Sequence, residues 1–365
     1  RNISLLAIAI AMFSQAAAQD STAAAKTGPT ITGSADVYYR FGFHNFKEPL
    51  YNNYRSFTNS HNSFELGMAS IKVEHSIGKV GMVADLGFGR RAEEFSYTDG
   101  DPDAGKNGFF SLAAVKQLYL TYAPNDKIKF TLGSFGTHVG YELLDAYLNR
   151  NYSMSYGFSY GPFFHTGLKA DFALSPQSGI MVGITNPTDF KSASAAPKMF
   201  IGQFSTGTSD DKLNLYLNFQ GGKTTESSRL YQGDVTASLS VSDKFGLGFN
   251  GTYQSRSIKN GGDKWSDGLA WWDLALYANY DPISWLGVTL RGEYFNDDDA
   301  VLGFGTNIIV PTLSFNFKVD NLTIIPEFRF ESAGQELYYK KGDDPVNPAT
   351  QKSSGSFILA AHYRF

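Results

Sequence analysis

Residues 357–365, with the sequence Phe-Ile-Leu-Ala-Ala-His-Tyr-Arg-Phe, carry apolar side chains at every second position. Side chains in a β-strand alternate between two faces, so Phe357, Leu359, Tyr363 and Phe365 share one face. A soluble protein could bury such a strand at the edge of a sheet, which is the alternative reading. We expect instead a strand with one face in lipid, because the same pattern recurs along the chain.

Alternation between apolar and polar residues marks several further segments. From position 213 the apolar set is Leu213, Leu215, Leu217 and Phe219, and from position 322 it is Leu322, Ile324, Phe328 and Phe330. The charged residues of the second segment all fall on the other face. Such strands need only alternate apolar residues to cross a membrane, because the inner face of a closed barrel stays wet.

Short turns and longer loops alternate along the chain. The short connections contain Gly, Pro, Asn, Asp or Ser and lie at residues 76–79, 124–127, 175–179, 207–211, 242–244, 281–284 and 320–321. The longer, polar segments are 43–62, 92–109, 139–160, 187–197, 221–228, 257–266, 296–303 and 332–353. This order predicts an all-β fold, a transmembrane antiparallel β-barrel of about sixteen strands over residues 30–365, with the short turns periplasmic.

Two strands of this barrel have special features. The last strand should close against residues 32–41, since unpaired edges are not tolerated in lipid. In residues 64–75 the apolar face shifts from Phe64, Leu66 and Met68 to Ile71, which predicts a bulge.

Composition excludes several classes of protein. The chain has no cysteine, which excludes a disulfide framework and a thiol nucleophile, and a net charge of only −4 gives no reason to expect nucleic acid. We predict no cofactor and no enzyme activity. Residues 1–18 resemble a cleaved signal peptide, because the apolar run is shorter than a spanning helix and precedes small residues. Residues 19–29 are expected to form a flexible lead.

A barrel of this width leaves an aqueous lumen, and its inner face should be polar. Both signs of charge are present among the candidates, so strong ion selectivity does not follow. The predicted lumen-lining residues are Arg40, Lys169, Asp171, Arg291, Glu293, Glu327 and Arg329.

The third long loop, residues 139–160, differs from the others because it is dense in aromatic residues. Leu143, Leu144 and Leu148 stand at helical spacing and predict a short helix packed on another surface. A loop this apolar is expected to fold inward rather than extend into solvent, although it could serve only to plug or brace the wall.

The chain resembles the OmpL-like β-barrel porins of Gram-negative bacteria. The resemblance rests on Glu142, Asn149, residues 152–155 (Tyr-Ser-Met-Ser), Phe158 and residues 161–167 (Gly-Pro-Phe-Phe-His-Thr-Gly), together with the barrel layout. It implies an outer-membrane porin that lets small hydrophilic solutes diffuse passively, with the third loop lining a constriction. The expected constriction residues are Glu142, Asp145, Arg150, Tyr152, Tyr156 and His165.

The expected partners follow from this location. A last strand with alternate apolar residues resembles the signal that barrels present to the assembly machinery, carried here by Phe357, Leu359, Tyr363 and Phe365. Outer-membrane lipid and lipopolysaccharide are the other expected partners, besides the small solutes. A homotrimer is an option, because trimers are common at this strand count.

Two alternatives remain open at this point. A barrel whose inward loop closes the pore would serve a structural or secretion-associated role. A barrel hydrolase could use His44 or His61, although no catalytic pairing can be placed. The acidic clusters at residues 99–103 and 297–299 could bind calcium, whose preferred ligands are carboxylate oxygens, but neither matches a calcium-loop spacing.

Overall fold

The computed structural model describes residues 28–45, 51–96, 111–259, 262–341 and 349–365. The signal peptide at residues 1–18 and nearly all of the lead at 19–29 lie outside these ranges, so both stay predictions. The acidic cluster at residues 99–103 also lies outside them.

Sixteen antiparallel strands form a closed barrel in which neighbours in sequence are neighbours in the sheet. Their bounds are β1 Thr30–Gly42, β2 Ser63–Ile77, β3 Val80–Phe88, β4 Val115–Asn125, β5 Ile128–Gly136, β6 Phe164–Ser175, β7 Ser178–Thr185, β8 Met199–Gly207, β9 Leu213–Thr225, β10 Ser228–Ser240, β11 Phe245–Ile258, β12 Leu269–Ile283, β13 Leu286–Asn296, β14 Asn307–Val319, β15 Leu322–Ala333 and β18 Ser353–Arg364. A separate two-stranded hairpin, β16 Tyr338–Tyr339 with β17 Thr350–Gln351, lies in the last loop. The predicted all-β barrel and its strand number are confirmed.

The two faces of each strand differ as the alternation predicts. Leu217, Phe219, Phe328 and Leu359 are exposed on the outer face, where lipid replaces water. Between them lie polar side chains such as Gln220, which is fully buried on the inner face. The outside of this barrel is therefore apolar and its inside polar, the reverse of a soluble protein.

The last strand closes the barrel against the first. In β18, Tyr363 pairs with Ala35 and Phe357 pairs with Phe41. Beyond the strand, Gly33 and Phe365 exchange two backbone hydrogen bonds, at 3.1 and 2.9 Å. Closure satisfies the backbone donors and acceptors that an open edge would leave unpaired in lipid.

All seven predicted short turns connect consecutive strands, and one predicted long loop does not exist as such. The segment 221–228 belongs mostly to β9 and β10, which extend until only residues 226–227 connect them. The prediction of a long loop there was wrong. Gly221 and Gly222 suggest a loop locally, but both pair with β10, at Tyr231 and Leu230.

The predicted irregularity of the second strand is a bulge at Gly67, where the register between β1 and β2 shifts. The bulge lies before Met68, so Phe64 and Leu66 face outward whereas Met68 is buried inside. Placing Met68 on the lipid face was therefore wrong. A Cβ at position 67 would lie 1.8 Å from Oδ2 of Asp36, so only glycine fits without displacing that carboxylate.

Helices within the described residues are few and short. They are α1 Arg90–Phe95, α2 Ser111–Ala114, a 3₁₀ turn at Ala146–Leu148 and α3 Tyr156–Tyr160. The helix expected around Leu143 is thus only the single 3₁₀ turn, and a second helix begins further along, where the Ser155 hydroxyl accepts the Phe158 N–H. No helix in the described ranges is long and apolar enough to cross a bilayer.

Candidate functional site

Residues 137–163, which connect β5 to β6 and are called here the third-loop segment, are held by carboxylates of the inner barrel face. Glu327 of β15 accepts the backbone N–H groups of Tyr152 at 2.8 Å and Ser153 at 3.1 Å. Glu293 of β13 accepts the N–H of Tyr156. A buried backbone needs partners, and charged acceptors are the strongest that side chains offer.

Two arginines of the same strands bind the carbonyl groups of this stretch. Arg291 of β13 donates to the Ser153 carbonyl at 2.8 Å and forms an ion pair with Glu142 of the segment. Arg329 of β15 donates to the Met154 carbonyl at 2.9 Å. Carboxylates accept hydrogen bonds from the N–H groups and guanidinium groups donate to the carbonyls. The barrel wall therefore offers partners to both the donors and the acceptors of one peptide stretch.

The segment also reaches other strands around the barrel. The Tyr152 hydroxyl donates to Asp36 of β1 at 2.6 Å, and the Lys116 ammonium of β4 lies 2.6 Å from Asp145. Arg150 forms a bidentate pair with Asp281 of β12, at 2.8 and 2.9 Å. The Gly140 N–H donates to Asp234 of β10 at 3.1 Å. Contacts on several well-separated strands fix the segment more firmly than one hinge would.

Apolar packing completes the anchoring. Met154, Phe158 and Phe163 of the segment form a buried cluster with Phe57 of the first loop and Phe95 of α1. A second buried cluster contains Tyr156 against Trp271 and Phe295 of the wall, with the Tyr156 and Phe295 rings stacked 4.8 Å apart. The first loop and α1 therefore pack with the third-loop segment as one body.

The predicted constriction residues divide into two groups by exposure. Glu142, Tyr152, Tyr156 and His165 are buried and contact protein groups, so in this structure they hold the segment and do not face water. Arg150, by contrast, has a side chain 30% exposed. The Asp145 side chain is partly exposed as well.

The predicted lumen-lining residues divide in the same way. Lys169 of β6 keeps a side chain 21% exposed, and the buried carboxylate of Asp171 accepts its ammonium at 3.2 Å. The other members are buried under the first loop and the third-loop segment. These buried residues are Arg40, Arg291, Glu293, Glu327 and Arg329.

The first loop supplies partners, which sequence reasoning missed, to two residues of the inner face, Glu331 and Arg40. Arg55 forms a buried ion pair with Glu331 of β15, and the buried guanidinium of Arg40 donates to backbone carbonyls of Asn52 and Tyr51 at 3.2 and 3.3 Å. One arginine in a loop otherwise rich in Asn, Ser and Tyr is the signal that could have identified Arg55.

A vestibule of about 760 Å³ is lined in part by residues 159–161 of the segment. Its lining includes the rings of Tyr54 and Tyr160 and the charged groups of Arg256 and Glu94. Asp189 of the fourth loop lies in its wall and accepts the Phe163 N–H at 2.7 Å and the Phe164 N–H at 3.0 Å. Burial raises the pKa of the Asp189 carboxyl to about 7.

The residues proposed for other chemistry have structural partners. The His61 Nδ1 accepts the Gly42 N–H at 3.1 Å, and its Nε2 lies 2.9 Å from Asn45 Oδ1. Asp297 accepts the N–H groups of Leu302 and Phe304, at 3.1 and 3.0 Å, which organises its own loop. No group of three potential metal ligands occurs in the part of the chain described.

Comparison with known proteins agrees with the architecture. Residues 28–365 match the family described as "Putative beta-barrel porin-2, OmpL-like". No curated protein sequence matches the chain at a significant level.

Solved structures show the same fold at low sequence identity. The outer-membrane channel DcaP of Acinetobacter baumannii is 12% identical with a TM-score of 0.56, covering 93% of this chain and 99% of its own. An anion-selective porin from Comamonas acidovorans is 10% identical with a TM-score of 0.59 and the same coverage. The trimer form of OmpT from Vibrio cholerae is 12% identical with a TM-score of 0.56, covering 93% of this chain and all of its own.

The family match over nearly the whole described chain, the closed sixteen-strand barrel and its apolar outer face agree with one another. The chain belongs to the OmpL-like β-barrel porin family and is an outer-membrane porin.

Proposed function

We propose that this porin lets small hydrophilic solutes diffuse passively, and that the third-loop segment sets the narrowest part of the path. The observation that carries this proposal is the binding of peptide groups 152–156 by Glu327, Glu293, Arg291 and Arg329. A segment bound to strands on the inner face takes up part of the lumen cross-section, and a smaller cross-section limits solute size.

Solute would contact the parts of the inner face that stay hydrated. These include Arg150 of the segment and Lys169 of β6, besides the vestibule walls at Tyr54 and Arg256. Both cations have carboxylate neighbours, Asp281 and Asp171. Mixed charge favours general polar solutes over one ion type.

The test is conductance of the purified full chain in planar bilayers, with uptake of neutral sugars of increasing size into liposomes. We expect discrete conductance steps and uptake that rises linearly with solute concentration. Saturable uptake would contradict passive diffusion. Deleting residues 141–158 should raise the step size and the size limit, whereas a deletion without effect would remove the segment from the constriction.

A second candidate is a barrel with a closed pore and a structural or secretion-associated role. It is favoured by the dryness of the packing, since Tyr152, Met154 and Tyr156 have no solvent exposure. The same bilayer experiment separates the two functions. A silent protein that conducts only after deletion of residues 141–158 would support the closed barrel and overturn the first proposal.

Partners are proposed at two levels. A homotrimer is supported by the OmpT relative, which is described in a trimer form, and sedimentation of the detergent-solubilised protein would test it.

For assembly, Phe365→Ala is expected to lower insertion into the outer membrane while the inserted fraction keeps its conductance. The role of Phe357, Leu359, Tyr363 and Phe365 as an assembly signal rests on their shared outer face.

Hydrolase activity receives no support from His61, whose ring nitrogens contact Gly42 and Asn45.

A further inference from the structure

The lipid-directed face changes from aromatic to basic at one end of β9, β10 and β11. Lys223 of β9 pairs directly with Arg229 of β10, and Tyr231 follows two residues later on the same face. The Trp265 ring packs 4.6 Å from the Arg229 guanidinium carbon and 5.5 Å from the Lys259 ammonium. We call Lys223, Arg229, Lys259 and Trp265 the basic rim patch.

The position of the basic rim patch along the barrel axis follows from the aromatic residues below it. Tyr253 pairs with Trp272, and the Trp272 ring stacks on Tyr294 at 5.1 Å. Such amphipathic rings favour the level of the lipid headgroups. Arg229 is two residues beyond Tyr231, or about 7 Å further along the strand. The cations therefore lie at the outer part of the headgroup layer.

The patch lies at the end opposite the short turns, which in outer-membrane barrels is the cell exterior. Only residues 226–227 connect β9 to β10 there, so the connection is too short to fold over the patch. Other outward strand ends differ, since Phe64 of β2, Ile309 of β14 and Phe330 of β15 are exposed apolar side chains. At those three strand ends the outward face stays apolar, whereas at β9 to β11 it is basic.

The charges of the patch are weakly compensated. Arg229 forms no ion pair within the described ranges, and its Nε is buried without a hydrogen-bond partner. Lys223 and Lys259 pair with Glu226 and Asp263 at 3.1 and 3.6 Å, but both carboxylates are almost fully exposed to solvent. Exposed ion pairs contribute little free energy, so a more strongly binding anion can displace these carboxylates from the two lysines.

We propose that the basic rim patch binds a phosphate group on a lipid headgroup of the outer leaflet. A guanidinium matches phosphate with two parallel N–H donors, and stacking on Trp265 holds the plane of Arg229 in place. Lys223 and Lys259 add positive charge on either side. The lipid chains would lie on the apolar face below, next to Tyr231 and Tyr253.

The experiment measures lipid binding to the detergent-solubilised full chain by native mass spectrometry. The probes are diphosphoryl lipid A and the same lipid with both phosphates removed. We expect Arg229→Ala and Lys223→Ala each to weaken binding of the diphosphoryl form about five-fold, the worth of one cation near a membrane surface. Arg229→Lys should recover part of the loss, because it keeps the charge without the planar stacking.

The matched control is Lys212→Ala, which removes an exposed lysine at the opposite end of the barrel. It should bind both lipids as the parent does, and single-channel conductance should be the same in all variants. The heat-dependent shift in gel mobility shows whether each variant is folded. If Arg229→Ala misfolds, Lys223→Ala still tests whether the basic rim patch binds the lipid.

Four results would overturn the proposal. Equal binding of both lipids would show that phosphate is not recognised. Equal affinities of Arg229→Ala and Lys212→Ala for the diphosphoryl lipid would show that the basic rim patch does not bind it. A change of oligomer size in Arg229→Ala with unchanged lipid binding would instead identify the patch as a contact between copies of the chain. Competition by inorganic phosphate distinguishes a free-phosphate site: complete displacement of the lipid at millimolar phosphate would contradict a lipid ligand.

Discussion

Charged side chains occupy the inner face of the barrel on two opposite sides, eight strands apart, and they serve different purposes. On β13 and β15, Arg291 and Arg329 are buried and bind peptide groups of the third-loop segment. On β5 and β6, Lys129 and Lys169 keep side-chain exposures of 30% and 21% beside the same carboxylate, Asp171. The residue types are similar, so burial by the loop, rather than the type of side chain, decides whether a lumen charge binds the loop or stays partly hydrated.

The difference has an energetic meaning. A charge buried with its partner becomes very costly when the partner is removed, whereas a partly hydrated pair loses little. The β13–β15 side should therefore control stability and the position of the segment. The β5–β6 side should control selectivity.

The largest effect is expected from Arg291→Met. This variant leaves Glu142 buried without its cation, removes the donor to the Ser153 carbonyl, and should cost about 3–5 kcal/mol of unfolding free energy. Urea unfolding in micelles measures the loss, and a larger conductance step should accompany it as the segment loosens. The control is Lys169→Met on the opposite side. An equal loss of stability in the control would break the distinction between the two sides.

Glu327→Gln should have the next largest effect. The carboxylate accepts the Tyr152 and Ser153 N–H groups with separate oxygens, and an amide can replace only one acceptor. We expect a loss of about 1–3 kcal/mol and faster amide exchange at both residues, measured by mass spectrometry. Glu226→Gln, in the exposed β9–β10 connection, is the control. Unchanged exchange at Tyr152 would show that Glu327 does not anchor the segment.

A pH effect is expected from Asp189, where the segment meets the fourth loop. Its pKa is about 7 in the folded barrel against an ordinary value of 3.8. The raised pKa adds stability that is fully present below about pH 4 and is lost as the pH rises through about 7.

The Tm of the parent should therefore be a few degrees lower at pH 8 than at pH 5. Each kcal/mol of unfolding free energy that is lost lowers Tm by about 2–4 °C. Asp189→Asn removes the titrating group, so its Tm should change less over the same range. Thermal scans of the parent and the variant at both pH values measure this. A parent and a variant with the same pH dependence would assign the effect to other groups.

The smallest effect on stability is expected on the hydrated side. Replacing both Lys129 and Lys169 by Gln should cost less unfolding free energy than Arg291→Met, about 1 kcal/mol for each site, because each amide keeps an N–H donor beside the buried Asp171. It should shift the zero-current potential in a salt gradient toward cation preference, because Asp171 then stands without its cations. Lys212→Gln at the periplasmic end is the control. If the variant kept the ion selectivity of the parent, the charged residues of β5 and β6 would not line the ion path.

Local patterns predicted most of the barrel, and the exceptions have physical causes. The two-residue period and the turn residues predicted seven hairpins, since both signals lie within a few consecutive residues. The glycines at 221–222 predicted a loop because glycine is common in loops, but here both pair with β10 as strand residues. The bulge at Gly67 displaced Met68 by one position, and a one-residue shift moves a side chain to the opposite face.

Site residues were harder to predict than strands. The inner face was predicted to contain Arg291 and Glu327, and both are there, but their burial depends on a segment that lies more than one hundred residues away in the chain. Nothing near Glu142 or Tyr152 in sequence indicates that Arg291 and Asp36 will be their partners. Arg55 was missed for the same reason.

The alternation of apolar and polar residues and the order of turns and loops were enough to predict a closed outer-membrane barrel, because each is a local property of the sequence. The three-dimensional packing decided which lumen charges are buried under the third-loop segment and which stay hydrated. It also left Arg229 at the outer rim with no carboxylate partner among the described residues. These outcomes depend on which distant groups meet and exclude water, and that is a property of the folded chain.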